Sequence, residues 1–287
     1  MIDLFRDKTP EELWTQYQDN DGIITLTQGD KNGGVMAVMQ CLMESKLLAK
    51  HMLLKTYKGK EDGLYPVSDM MRKLFSQVFR KPLSTVKTPK LDGSFVFEGL
   101  SKLFKRVNSN DSQQVLVLLC DALNQEFDKG KKEGSKGESA IQDVYKMELE
   151  DQFECTEEHL SVNLRPEFLM QFDRTKSVNE SIKEMFTIVG EKKNCDECEE
   201  ETDGFTEVAM VTAPSVLVIC MKRFDDDGAE VGQKQTAPLE LDLTEFYSGF
   251  DFGDGLMMDL FAMVSTEGET LDDSESRAVV LKGEKWV

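Results

Sequence analysis

Helical periodicity runs through the first 130 residues. Over 35–48, Val35, Met36, Val38, Met39, Leu42, Met43, Leu47 and Leu48 cover more than one helix face, which predicts a helix buried in a core. Ser68 is placed to cap a second helix carrying Met70, Met71, Leu74, Phe75, Val78 and Phe79, with Pro82 beyond its end. A third helix is expected over 96–107, through Val96, Phe97, Leu100, Leu103, Phe104 and Val107. A fourth is expected from about 111 to 128, with Leu116, Leu119, Leu123 and Phe127 on one stripe. Residues 129–139, KGKKEGSKGES, contain no apolar anchor and read as a flexible linker or disordered loop.

Beyond the linker the period shortens. LSVNL at 160–164 and FLMQF at 168–172 alternate as strands do. Ser177-Val-Asn-Glu180 is a capping box opening a short helix with Ile182, Met185 and Phe186 on one face. VLVICMKRF at 216–224 is the strongest strand candidate; 256–265 and 277–281 are further ones. Helices first and strands afterwards predict an α+β protein with segregated elements. The division falls into a helical part, 1–139, and a strand-rich part, 140–287.

Composition narrows the function classes. The 287 residues are 40% hydrophobic and 31% charged, ordinary values for a globular chain. No apolar run approaches the ~20 residues of a membrane span, and MIDLFRDKTPEELW lacks the apolar core of a signal peptide. A cytoplasmic or nuclear protein that neither spans nor binds a membrane is expected. The formal charge of −20 argues against nucleic acid, which needs clustered Lys and Arg, and suits a basic partner or solubility alone. Six cysteines are too few for a disulfide framework in a chain this long. Cys41, Cys120 and Cys220 lie in apolar runs and read as buried small hydrophobes. Cys195-x-x-Cys198 reads as a metal half-site or its relic.

Several stretches, taken in order, resemble the ubiquitin-specific protease family of cysteine deubiquitinases. AVMQCL at 37–42 is similar to the helix segment after that family's catalytic cysteine. NSNDSQQVLVLLCDALNQEF at 108–127 resembles its QQDAxEFLxxLLDxL box. NCDEC at 194–198 resembles the second zinc half-site of its fingers, and SVNESIKEMF the helix before it. PSVLVICMKRF at 214–224 is similar to its PxxLxxxLKRF strand, and Lys234 and PLELDL at 238–243 fit the lysine and the strand that come next in the family. RAVVL at 277–281 before KGEKW resembles the strand after its catalytic histidine. The resemblance implies a papain-like cysteine-protease fold with a helical thumb and β-rich fingers and palm.

The departures fall on the chemistry. The resemblance puts Gly33 in the nucleophile slot, and residues 22–40 contain no cysteine. It puts Glu275 in the slot of the histidine base; the only histidines are His51 and His159. The third catalytic position is expected beyond Val287. Thiol proteolysis needs a thiolate and an oriented base, and neither is supplied at these positions. Cys41, two turns along an apolar helix, is expected to be inert. The ubiquitin-facing box becomes Ser109, Asn110 and Asp111, with Ser109 and Asn110 in place of two glutamines. The acidic stretch Glu267–Glu275 either draws the basic tail of ubiquitin to a cleft rim or is a solvated loop.

The first zinc pair of the family becomes Cys155-Thr-Glu-Glu-His159. With Cys195 and Cys198 it makes a Cys3His set, a standard tetrahedral donor set for a structural zinc, provided the two half-sites meet. The alternative is a decayed site. The expectation is thus a catalytically inactive, ubiquitin-specific-protease-like domain that binds ubiquitin or another protein partner in a complex. The alternatives are an active isopeptidase using unrecognised residues and a scaffold that no longer binds ubiquitin.

Overall fold

The structure, a computed structural model of the chain, describes residues 25–27, 33–54, 66–78, 90–93, 95–96, 100, 110–130, 139–224, 230, 232, 234–249, 255–270, 273–282 and 284–287. In order these form β1 (Thr25–Thr27), α1 (Gly33–Glu44), α2 (Lys46–Leu54), α3 (Pro66–Val78), β2 (Lys90–Asp92), α4 (Ser112–Gly130) and α5 (Ala140–Tyr145). Next come β3 (Met147–Cys155), β4 (Leu160–Glu167), β5 (Met170–Asp173), α6 (Val178–Met185), β6 (Val189–Cys195), β7 (Glu200–Thr212) and β8 (Ile219–Lys222). The last strands are β9 (Glu240–Asp242), β10 (Met257–Asp259), β11 (Ala262–Glu267), β12 (Glu275–Lys282) and β13 (Lys285–Trp286). The class is α+β, with helices and antiparallel sheet.

The chain packs as two compact units, Met1–Ile141 with Phe261–Val287, and Gln142–Leu260. The division expected from the sequence ran along the chain at 139; the packing groups the last strands with the helices, because α1 lies along β12. In the first unit α1 to α4 bury Val35, Met39, Leu48, Met52, Met71, Leu74, Phe75 and Leu119. The antiparallel sheet β11-β12-β13 covers α1, with Met263 opposite Val279 and Val264 opposite Ala278.

The apolar run 35–48 is two helices. Ser45 breaks it: its Oγ accepts the Leu48 N–H at 3.3 Å and so caps α2. The second expected helix starts at Pro66, whose fixed φ suits the first helical position. Ser68 therefore lies inside the first turn. The cap is a distant carboxylate instead, buried Glu126 of α4, accepting from Val67 N at 2.9 Å and Ser68 N at 2.8 Å. Of the expected third helix, 97–99 and 101–107 lie outside the described residues, and so do 131–138 of the expected linker. Lys129 belongs to α4 and Ser139 is buried.

In the second unit β4-β3-β7-β6 form one antiparallel sheet. The run 216–224 shortens to β8, which pairs parallel with β5, from Met170 beside Ile219 to Asp173 beside Lys222. Met147, Leu149, Met170, Val178, Ile182, Met210, Leu241, Leu243 and Leu256 make the core there. Phe186 stacks on Phe246 at 4.7 Å between ring centroids. The capping box forms as expected: Ser177 Oγ accepts from Glu180 N, and the Glu180 carboxylate accepts from Ser177 N at 2.9 Å.

Candidate functional site

Two places carry the expected chemistry, one in each unit. In the second unit, the far end of β4-β3-β7-β6 has almost no hydrocarbon core. Phe153, Cys155 and Cys195 are its buried hydrophobic residues, with Cys198 packed beside them. Gly204 of β7 admits the Phe153 ring, since a Cβ there would lie 2.5 Å from Phe153 Cε2 and press on Glu154 O. The two chain reversals have a common trait. Glu158, just before His159, and Glu199, just after Cys198, are the non-glycine residues with positive φ among the described residues, at 63° and 58°. Each costs about 1 kcal/mol or more of backbone strain. In each turn a backbone N–H returns to the leading cysteine: Glu158 N to Cys155 O and Glu199 N to Cys195 O, both at 2.9 Å.

These turns bring Cys155, His159, Cys195 and Cys198 together, with one ligand atom of each within 4.8 Å of all the others. Cys155 Sγ lies 3.9 Å from Cys198 Sγ; His159 Nδ1 lies 3.3 Å from Cys198 Sγ and 3.6 Å from Cys195 Sγ. A tetrahedral zinc with bonds near 2.3 Å to sulfur and 2.0–2.1 Å to nitrogen sets its ligands about 3.8 Å apart for S···S and about 3.5 Å for S···N. The spacing is that of a zinc ligand set rather than of a disulfide, and no disulfide occurs among the described residues, which include all six cysteines. The electrostatics favour a cation. The Cys198 N–H holds the Cys195 thiol below its ordinary value, while burial and the neighbouring sulfurs push Cys198 up to about 12. A second thiolate is therefore disfavoured until a positive ion joins the cluster. This Cys3His group can bind zinc.

In the first unit the residues around Gly33 occupy the place of the expected catalytic centre. Gly33 opens α1, and β12 runs past it. A Cβ on Gly33 would lie 3.2 Å from Ser276 N and 3.3 Å from Ser276 O. The start of α4 reaches the same point, with Ser112 Oγ donating to Ser276 Oγ at 3.2 Å. Thr266 Oγ1 of β11 lies 3.0 Å from Ser276 Oγ. Glu275 turns the other way. It is exposed, lies opposite Glu267 across the β11-β12 pair, and meets Arg277 Nη2 at 3.3 Å. A strand alternates faces, so one position separates the residue expected beside Gly33 from the residue that is there. The signal was available: Ser276, Ala278 and Val280 are the small or apolar alternates between Glu275, Arg277 and Val279.

Cys41 is the cysteine of α1, in its second half. Burial, with the Glu44 carboxylate adding, pushes its thiol up to about 12. Of the expected ubiquitin-facing box, Ser109 lies outside the described residues, and Asn110 is half-buried. Asp111 caps α4, its Oδ1 accepting from Gln114 N at 3.0 Å. The structure thus brings the four metal-site residues together and sets Gly33 against Ser276, with Glu275 outside that contact.

The model of the ubiquitin carboxyl-terminal hydrolase family matches residues 34–287, beginning one residue after Gly33. No curated protein matches the chain. Among solved structures, the chain is similar to Ubp8 in the SAGA DUB module with Sgf11, Sus1 and Sgf73 bound to monoubiquitin, at a TM-score of 0.74 and 16% identity over 94% of this chain and 63% of that one. The same module bound to ubiquitin aldehyde gives 0.71 at 16%, over 94% and 64%. A yeast form of the module gives 0.70 at 16%, over 94% and 63%. At that identity the likeness is one of fold, and the chain spans less than two thirds of the length of those chains. With the family model covering all but the first 33 residues, the chain belongs to the ubiquitin carboxyl-terminal hydrolase family.

Proposed function

We propose that this chain is a non-cleaving member of its family that works by binding ubiquitin, alone or within a protein complex, with its fingers sheet held by a structural zinc. The observation that carries the first part is the contact at Gly33. Amide hydrolysis by this family's chemistry needs a thiolate at the helix start and a base facing it. Here the helix start has no side chain, and a serine backbone faces it. Ser112, Thr266 and Ser276 make a string of hydroxyls beside it. Cys41 is no substitute, since a thiol pushed up to about 12 is almost wholly protonated at neutral pH. The formal charge of −20 supports a basic partner over a nucleic acid.

Ubiquitin carrying an amide-linked fluorophore tests the reading directly. Release is expected at the buffer rate for the native chain and for Cys41→Ser alike. Turnover in both would point to an unrecognised catalytic group. Turnover lost in Cys41→Ser would make Cys41 the nucleophile. Immobilised mono- and polyubiquitin tests the binding half: the chain is expected to be retained, and its passing through unbound would favour a scaffold without ubiquitin affinity.

A further inference from the structure

A strand that ends a sheet leaves a row of backbone N–H and C=O groups without partners, and folded proteins blunt such edges with charge, proline or a bulge. β4 ends the sheet β4-β3-β7-β6, and no described segment pairs with its outer side. Its first five residues, Leu160, Ser161, Val162, Asn163 and Leu164, use none of those devices; Arg165 and Pro166 come only after them. The register with β3 runs from Leu160 to Glu167 without a shift. All five residues are exposed, Leu160 at 61%, Val162 at 49% and Leu164 at 58%. Successive side chains of a strand point to opposite faces, so these three aliphatics form one row. Leu149 and Phe153 of β3, which are buried, belong to the other face, so the interior of the sheet does not cover that row.

Acids surround the row. Across β3, Leu160 lies opposite Glu154, Val162 opposite Gln152 and Leu164 opposite Glu150. On β7 the same three rows continue to Phe205, Glu207 and Ala209. Directly opposite residues share a face, so this face carries three carboxylates and no Lys or Arg in these rows. Among the described residues no cation pairs with Glu150, Glu154 or Glu207; Arg165 is turned to the other face, where it holds Asp151 at 2.8 Å and Glu167 at 2.6 Å. Exposed Glu157 and Glu158 extend the negative charge beyond Leu160. Five residues span about 17 Å, and β4 to β7 is about 10 Å wide. That is roughly 170 Å², against the ~800 Å² per partner of a stable interface between folded proteins. The face therefore suits one segment of chain. A second copy fits badly: antiparallel pairing centred on Val162 would bring Glu157 of each copy onto Glu167 of the other, and like charges placed opposite each other destabilise a strand pair.

We infer that β4 is a docking edge for an extended segment of a basic partner protein, distinct from ubiquitin, which adds to the sheet as a fifth strand. Its main chain takes up the open hydrogen bonds of β4, and alternate aliphatic side chains lie beside Leu160, Val162 and Leu164. Lys or Arg residues flank that aliphatic stretch. At one end they meet Glu154, Glu157 and Glu158, and at the other Glu150. Their apolar stems cover the ends of the row while the charged heads reach the carboxylates. This docking does not depend on whether the chain binds ubiquitin.

Fluorescence anisotropy of the whole chain with a labelled peptide, Lys-Lys-Val-Thr-Val-Thr-Val-Lys-Lys, reads the docking. Saturable binding is expected, with binding at least about tenfold weaker for the twin peptide carrying Glu in place of Lys. Val162→Lys puts on β4 the charge that edges ordinarily carry; it should keep the native Tm, since Val162 is exposed, and weaken the lysine peptide at least about tenfold. Glu150→Gln with Glu154→Gln should narrow the difference between the two peptides. Amide exchange within 160–164 should slow when the lysine peptide is bound. Absence of saturable binding up to about 1 mM would overturn the inference, and so would binding that Val162→Lys leaves unchanged. Displacement of the peptide by ubiquitin would give this edge to ubiquitin. A dimer of the native chain in sedimentation, dissociated by Val162→Lys, would give it to a second copy. Either result overturns the separate basic partner. Ubiquitin is not the probe, so a failure of the chain to bind ubiquitin leaves these outcomes unchanged.

Discussion

Single residues carry large consequences where a buried group serves two partners. Glu126 belongs to α4 but caps α3, accepting two backbone N–H groups that are orphaned at any helix start. The carboxylate also sits at the positive end of the α3 dipole. Glu126→Ala would leave both donors buried without acceptors and is expected to cost about 2–4 kcal/mol. Glu126→Gln keeps one acceptor oxygen and should lose about half of that. Urea denaturation of the two variants checks the order; an alanine variant within 0.5 kcal/mol of the native chain, roughly the scatter of neutral surface changes, would remove the cap argument. The exposed ion pair of Glu275 with Arg277 is the opposite case, and Glu275→Gln should leave stability within that same scatter.

At the scale of the element, α6 shows how a local motif gives a pH dependence. The Glu180 carboxylate accepts from the Ser177 hydroxyl at 2.6 Å and from its backbone N–H, and these bonds hold its pKa below the ordinary 4.5. A carboxylate with a lowered folded-state pKa stabilises the fold above its unfolded pKa, and the gain disappears as pH falls through the folded value. Glu180→Gln should therefore be less stable than the native chain at neutral pH, with a gap that narrows steadily below pH 4.5. A gap independent of pH would assign the effect to the amide's shape rather than to charge. Ser177→Ala removes the reciprocal bond and should cost about 1 kcal/mol, read as earlier fraying of Val178–Met185 in hydrogen exchange.

At the scale of the molecule, both units bury apolar cores, and one end of the second is left almost without one. The helices of the first unit bury Val35, Met39, Leu48, Met71, Leu74, Phe75 and Leu119. The tip of β4-β3-β7-β6 buries little beyond Phe153 and sulfur, and the two strained turns add to its cost. A zinc ion held by Cys155, His159, Cys195 and Cys198 would offset that deficit, because metal binding is folding energy where the core is small. Elemental analysis should find about one zinc per chain, falling to none in Cys195→Ser with Cys198→Ser. Chelation should speed amide exchange in β3, β4, β6 and β7 while α1 to α4 stay protected. Equal loss of protection in both units would mean that zinc supports the whole chain, and no change at all would leave the four residues as a relic.

Much of this was legible along the chain because it is local. Apolar periodicity marked α1, α3 and α4, spacing marked the capping box and the Cys195–Cys198 pair, and the family resemblance added Cys155 and His159. The absence of cysteine before α1 is equally a fact of sequence. What could not be read depends on partners far away in the chain. β6 and β7 carry charge on both faces, so no alternation betrayed them; their partners in the sheet make them strands. The Glu126 cap spans 59 residues, and no propensity predicts it. The choice of Ser276 over Glu275 turned on the phase of one strand, which is set by its pairing with β11. Residue types thus determined which chemistry was available, and tertiary packing decided which atoms meet. Short-range order arises from the backbone and side chains of neighbouring residues, whereas register and closure depend on contacts made only when distant segments fold together.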